Sequence, residues 1–290
     1  MRVLITGSKG QVGCSLVERL EGKVELLAVD RTELDITDKI AVYETVQTFK
    51  PDFIINAAAH TAVDKAEQEI ELSYAINRDG PKYLAEAAND IGATILHIST
   101  DYVFPGDKDG AYLESDVTGP LGVYGKSKLA GELTVAANPK HVILRTAWVF
   151  GEYGNNFVKT MLRVGADRDE LNVVADQFGG PTYAGDIADA LIGIMQSLNA
   201  SQNDKLYGVY HYSGYPHVSW CDFAKAIFEQ AEKADLIKAP LVNGITTDMY
   251  PTPAKRPENS KLSCDKIKEM FAIEASDWNA ALNNIELYKS

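Results

Sequence analysis

A doubly wound α/β fold, with parallel strands alternating with helices, is what this sequence predicts. Three observations predict it. The chain opens on a short apolar run, Val3-Leu4-Ile5-Thr6, that stops at glycine, as a strand buried on both faces does. A glycine-rich turn and a helix-compatible stretch follow at once, and a second apolar run then ends in an acid, Asp30. The same alternation continues to about residue 150.

The turn is Gly7-Ser8-Lys9-Gly10-Gln11-Val12-Gly13, and the helix it opens runs from Gln11 to about Leu20. Glycines at such a turn let backbone N–H groups and the helix N-terminus approach a pyrophosphate. The next strand spans Val24 to Val29, and Asp30 lies 17 residues beyond Gly13. A carboxylate there accepts hydrogen bonds from the ribose hydroxyls of an adenine nucleotide. The spacing is G-x-x-G-x-x-G, not the commoner G-x-G-x-x-G. Its weight comes from its place between a strand and a helix. The acid at position 30 favours NADH over NADPH by charge repulsion, and Arg31 beside it offsets that, so both cofactors stay open.

Asp38 to Phe49 reads as a helix, and Pro51 introduces a strand over Phe53–Ala59. Glu71 to Asp90 is a long helical pattern, followed by a strand over Ala93–Asp101 that ends in polar residues. His141 to Trp148 is another apolar strand. Right-handed crossovers then put helices on both faces of a parallel sheet, with ligands beyond the carboxyl ends of its strands. Gly7, Asp30, Ala57–Ala59, Thr100–Asp101 and Trp148 all fall at such ends. Residues 1–150 are therefore expected to form a Rossmann-type dinucleotide-binding domain.

Past Gly151 the pattern is less regular. Helices are expected at Asn155–Val164 and Tyr183–Leu198, with a third capped by Ser219. Strands are expected at Leu171–Ala175 and Tyr207–Tyr212, and Tyr250–Pro257 is a proline-stiffened loop. Residues 151–290 read as a smaller C-terminal substrate-binding lobe, with some segments returning to the main sheet.

The run Val123-Tyr124-Gly125-Lys126-Ser127-Lys128 carries the chemistry. Tyr124 and Lys128 are four residues apart before a helix-compatible stretch, so on a helix they share one face. A free tyrosine has a pKa of roughly 10. A cation within about 4–6 Å favours the phenolate and lowers that value, which makes the phenol a usable acid–base group.

The totals exclude other classes. The 290-residue chain has a formal net charge of -13 and no block of basic residues, which argues against a general nucleic-acid or membrane-surface binder. Its three cysteines, Cys14, Cys221 and Cys264, are far apart and lack metal-ligand spacing. They read as reduced thiols of a cytoplasmic protein. The N-terminal apolar run is too short for a signal peptide, and no segment is expected to span a bilayer.

With these residues placed, the chain resembles the extended short-chain dehydrogenase/reductase superfamily, and within it the dTDP-4-dehydrorhamnose reductase family. The matching runs are Gly10–Gly13, Leu34–Thr37, Asn56–Glu67, Ser99–Phe104, Arg145–Phe150, Gly180–Thr182 and Arg256-Pro257-x-x-Ser260. The resemblance implies reduction of the C4 ketone of dTDP-4-dehydro-L-rhamnose by NADH or NADPH. It gives Tyr124 the proton, Lys128 the tuning of Tyr124 and the nicotinamide ribose hydroxyls, and Thr100 the ketone oxygen. It also implies cofactor contacts at Asp35, Ile36, Ala58, Ala59, His60 and Thr61, and substrate contacts at Asp101, Tyr102 and Trp148. His60 has no obvious partner, so it is given backbone proximity to the cofactor and no acid–base role. Arg256 suits either the substrate diphosphate, as a planar fork, or a structural ion pair.

Three other readings compete with this one. A dehydratase of the same superfamily carries an Asp-Glu pair after the threonine, and here Asp101 is followed by Tyr102. A sugar-nucleotide epimerase needs no further group beyond the Tyr/Lys pair. A non-catalytic subunit, similar to the regulatory subunit of methionine adenosyltransferase, would not need Thr100, Tyr124 and Lys128 intact. Ser15 stands where some family members carry a metal-binding glutamate, so no metal is expected, and monomer and homodimer stay equally open.

Overall fold

Strands built from unbroken apolar runs need cover on both faces, and the helices between them supply it. The computed structural model describes residues 1–201 and 203–289. β1 (Arg2–Thr6), α1 (Gln11–Leu20), β2 (Glu25–Val29), α2 (Lys39–Phe49) and β3 (Phe53–Asn56) follow one another directly. Two short helices, α3 (Val63–Ala66) and α4 (Ile70–Tyr74), lead through a π turn at Ala75–Asp79 into α5 (Gly80–Ile91). β4 (Thr94–Thr100), α6 (Val123–Val135) and β5 (His141–Thr146) complete the first half.

The expected helix over Glu71–Asp90 is thus broken once. The π turn carries Asn77, which is buried and spends its amide on groups outside its own helix. Such a bulge leaves no trace in hydrophobic periodicity.

The second half contributes β6 (Val149–Phe150), α7 (Phe157–Ala166), β7 (Glu170–Val174), β8 (Phe178–Gly179) and β9 (Thr182–Tyr183). It continues with α8 (Ala184–Ala200), β10 (Gly208–His211), β11 (Val218–Ser219), α9 (Trp220–Lys233) and β12 (Leu241–Ile245). Asn156 and Ser219 cap α7 and α9 through their side chains. β12 escapes the sequence pattern because it is a half-exposed strand with a single neighbour, β7.

The main sheet has six parallel strands in the order β10-β5-β4-β3-β1-β2. One face packs on α1 and α8 through Val3, Ile5, Ile55, Leu96 and Leu144. The other packs on α2 and α5 through Leu4, Ile54, Ile95 and Ile143. β10 and α8 therefore belong to the main sheet and its cover, although they come late in the chain. Separate apolar clusters join α7, α9 and the β7–β12 pair.

The order reverses between β1 and β3, because the chain leaves β1 for β2 on one side and returns to β3 on the other. A doubly wound sheet opens its ligand crevice at that point, beyond the strand ends. Among the described residues, no helix is long and apolar enough to cross a membrane.

Candidate active site

The crevice begins at the reversal. Gly7 has φ +72, and a Cβ there would lie 2.6 Å from the Ala58 amide nitrogen, so only glycine fits the turn. Gly13 packs behind it against the Gly7 carbonyl. Gly10 begins α1 without any side-chain cap, leaving the helix N-terminus facing the crevice. Gln11 and Val12 line the same space, and Gln11 accepts a hydrogen bond from Asn156.

A cavity of about 270 Å³ extends from this turn past Asp30, Arg31, Asp35, Ile36, Ala58 and Ala59. Asp30 accepts from the Thr32 amide and hydroxyl and pairs with Lys9 at 2.8 Å. Asp35 caps its own turn by accepting from the Thr37 amide and hydroxyl, and Arg31 approaches it at 3.8 Å. This cradle of glycine turn, open helix N-terminus and strand-end carboxylate fits a dinucleotide.

A second cavity, of about 560 Å³, joins Gly10, Gln11, Val12, Ala59 and Thr61 to Thr100, Asp101, Tyr102, Tyr124, Lys128 and Trp148. α6 reaches it by close contact. A Cβ on Gly125 would lie 2.2 Å from the Tyr102 carbonyl oxygen, so this glycine lets the helix dock on the turn after β4. The N-terminus of α6 is closed by Glu67, whose carboxylate accepts from the Val123 amide at 2.8 Å. Tyr124 meets Tyr102 edge to face at 5.5 Å.

Lys128 is buried, and its ammonium donates to the Ile98 carbonyl at 2.7 Å. Burial pulls its pKa down to about 8. Burial also pushes the Tyr124 phenol up to about 12, with the Thr100 hydroxyl pulling the other way. The expectation that Lys128 lowers the tyrosine is therefore corrected. Desolvation dominates, and the ammonium is engaged with the strand backbone. A raised pKa keeps the phenol protonated at neutral pH, which is the form a proton donor needs.

His60 also differs from its sequence reading. It has partners: the Ser73 hydroxyl lies 3.0 Å from Nδ1 and the Glu69 carboxylate 3.1 Å from Nε2. Its backbone is held by Asn77, which accepts from the His60 amide at 2.8 Å and donates to its carbonyl at 3.0 Å. The same amide donates to Ser127, which in turn donates to the Tyr124 carbonyl. Asn77 thus ties the cofactor-side loop to the helix bearing Tyr124 and Lys128. A helical pattern gives no sign of it, because Asn77 acts on residues 17 and 50 positions away.

Trp148 sits at φ +47, a strained backbone for a bulky residue, and stacks on Trp220 at 3.5 Å. Trp220 also lines a third cavity of about 350 Å³ with Phe157, Met161, Gln177, Tyr250 and Arg256. Arg256 forms a two-pronged ion pair with Asp64, at 2.8 and 3.2 Å. Its side chain remains partly exposed toward this third cavity. Ser15 is buried and donates to the Gln11 carbonyl within α1. Among the described residues, no group of three or more His, Cys, Asp or Glu side chains is placed to hold a metal ion.

The family model described as the RmlD substrate binding domain matches residues 1–287. A dTDP-4-dehydrorhamnose reductase from Aggregatibacter actinomycetemcomitans is 55% identical over 99% of both chains. A crystal structure of a dTDP-4-dehydrorhamnose reductase from Clostridium acetobutylicum superposes with a TM-score of 0.90 at 42% identity, covering 99% of this chain and 98% of that one. Another from Bacillus anthracis, solved in complex with NADP, superposes with a TM-score of 0.89 at 38% identity over 99% and 98% of the two chains.

Proposed function

The chain belongs to the dTDP-4-dehydrorhamnose reductase family, and from that membership we propose how its own residues carry the reaction. It is an oxidoreductase that reduces the C4 ketone of dTDP-4-dehydro-L-rhamnose to dTDP-L-rhamnose with NADH or NADPH. The observation supporting the residue roles is that Thr100, Tyr124 and Lys128 line one cavity with the glycine turn.

Bound NADH or NADPH supplies the hydride to C4. Tyr124 gives its phenol proton to the forming alkoxide. The Thr100 hydroxyl hydrogen-bonds the ketone oxygen and stabilises its growing charge. Lys128 has three N–H donors, one spent on Ile98; the others serve the nicotinamide ribose hydroxyls. The Gly7–Gly13 turn carries the pyrophosphate, with Asp30, Arg31, Asp35, Ile36 and the Ala58–Thr61 loop around the adenosine side. Asp101, Tyr102 and Trp148 border the sugar, and Arg256 faces the diphosphate while its other edge rests on Asp64. Residues 151–290 act as the sugar-nucleotide lobe. The reading carries with it a cytoplasmic location, a small-molecule partner, no nucleic-acid or membrane partner, and a monomer or homodimer.

The test is absorbance at the reduced-nicotinamide band, with NADH and NADPH in parallel, on adding dTDP-4-dehydro-L-rhamnose generated in situ. Oxidation by the native protein and its collapse in Tyr124→Phe is the expected result. Cofactor binding without oxidation would remove the assignment of these roles.

A further inference from the structure

The roles above leave the carboxyl of Asp101, which lines the reaction cavity, without chemistry. Asp101 is 3% exposed. Its Oδ1 accepts from the Thr100 hydroxyl at 2.9 Å, and its Oδ2 has no hydrogen-bond partner in the described structure. Thr100 Oγ1 also accepts from the Tyr102 amide at 3.2 Å and lies close enough to the Tyr124 phenol to pull its pKa down. A hydroxyl has one proton to give. Thr100 therefore cannot donate to Asp101 and to a substrate ketone at the same time.

Resting on the reductase reading, we infer that Asp101 is a positioning residue whose protonation sets the direction in which Thr100 donates. With the carboxyl ionised, Oδ1 holds the Thr100 proton, and Oγ1 faces Tyr124 only as an acceptor. With the carboxyl protonated, Asp101 donates to Oγ1, and the Thr100 proton turns to the ketone oxygen. The same row restores Tyr124 after turnover. Hydride reduces C4 and oxidises the nicotinamide, and the Tyr124 O–H breaks as the new alcohol O–H forms. The Thr100 proton then passes to the phenolate, the Asp101 proton replaces it on Thr100, and the carboxylate regains one proton from water.

The groups facing Asp101 come from three elements. Tyr102 follows it in the chain, Tyr124 faces it from α6, and the Ser260 hydroxyl approaches from the C-terminal segment. The Arg256–Asp64 pair stands beyond Tyr102. Burial pushes the Asp101 carboxyl up to about 6, with Ser260 and Thr100 pulling against it, so its ionisation falls inside a practical assay range.

The experiment is the single-turnover rate of NADPH oxidation by dTDP-4-dehydro-L-rhamnose, followed from pH 5 to 9 in the native protein and in Asp101→Asn. The amide keeps the shape and has no proton to lose. The native rate is expected to fall by roughly tenfold as pH rises through the Asp101 ionisation, while Asp101→Asn gives a flat profile over that limb. A limb that persists unchanged in Asp101→Asn, or a native profile without one, overturns the inference. The native profile by itself guards against a misfolded variant, since a native rate that stays flat from pH 5 to 9 overturns the inference whatever Asp101→Asn does. Absence of native turnover would overturn the reductase roles themselves, an outcome distinct from turnover with an unaltered limb.

Discussion

The two ends of the crevice hold their ionisable groups in opposite ways. At the β2 end, Asp30 is kept well below the usual carboxylate range by hydrogen bonding with Glu33, Lys9 and Thr32. Lys9 itself is 66% exposed. At the β4–α6 end, Tyr124, Lys128 and Asp101 are shifted first by burial. The difference teaches where each end can be altered. Exposed pairs are screened by water and salt and contribute little to stability. Buried groups depend on every partner they have, because nothing else solvates them.

Tyr124→Phe breaks the buried end most sharply. It should lower kcat by roughly 10²–10⁴-fold, since only the transferable proton is lost. Stopped-flow oxidation and a cofactor titration check this together; weakened NADPH binding of the same size would mean the ring positions the cofactor instead.

Asn77→Ala is next. It strips partners from the His60 amide and carbonyl and from Ser127. A loss of about 2–4 kcal/mol in unfolding free energy is expected from several buried polar groups left unpaired. Urea unfolding measures it, and a loss near zero would show that the loop and α6 are joined by packing alone.

The pH dependence of stability sharpens the contrast. Lys128 is held down to about 8, below its unfolded value, so the unfolded chain binds more protons between these two pKa values. Its burial penalty is fully present below about pH 8 and is relieved as pH rises toward roughly 10.4, the unfolded lysine value. Unfolding free energy should carry a rising contribution across that window, absent in Lys128→Met. Denaturant midpoints at intervals across it, for both proteins, read the difference.

The smallest effect belongs to the exposed end. Lys9→Ala leaves Asp30 unpaired to repel a 2′-phosphate, so the NADPH-to-NADH ratio of kcat/KM should fall by about fivefold while the unfolding midpoint stays in place. An unchanged ratio would separate this ion pair from cofactor choice.

Much of this was legible in the sequence because it is local. Apolar runs ending in glycine or acid mark buried parallel strands, and their alternation with helical patterns prescribes the sheet. Tyr124 and Lys128 share a helix face because four residues make about one turn. The strand-end rule places Gly7, Asp30, Thr100 and Trp148 at one crevice from the order of strands and helices alone.

What the tertiary structure decided depends on partners far apart in the chain. Arg256 meets Asp64 across 192 positions, and Asn77 meets Ser127 across 50. β10 and α8 join the first sheet from the second half of the chain. The sign of the Tyr124 shift was decided there as well. A neighbouring lysine in sequence predicts a lowered pKa, yet burial raises it to about 12, and Lys128 donates to the Ile98 carbonyl. Spacing along a chain specifies which side chains share a face, whereas desolvation depends on everything packed around them.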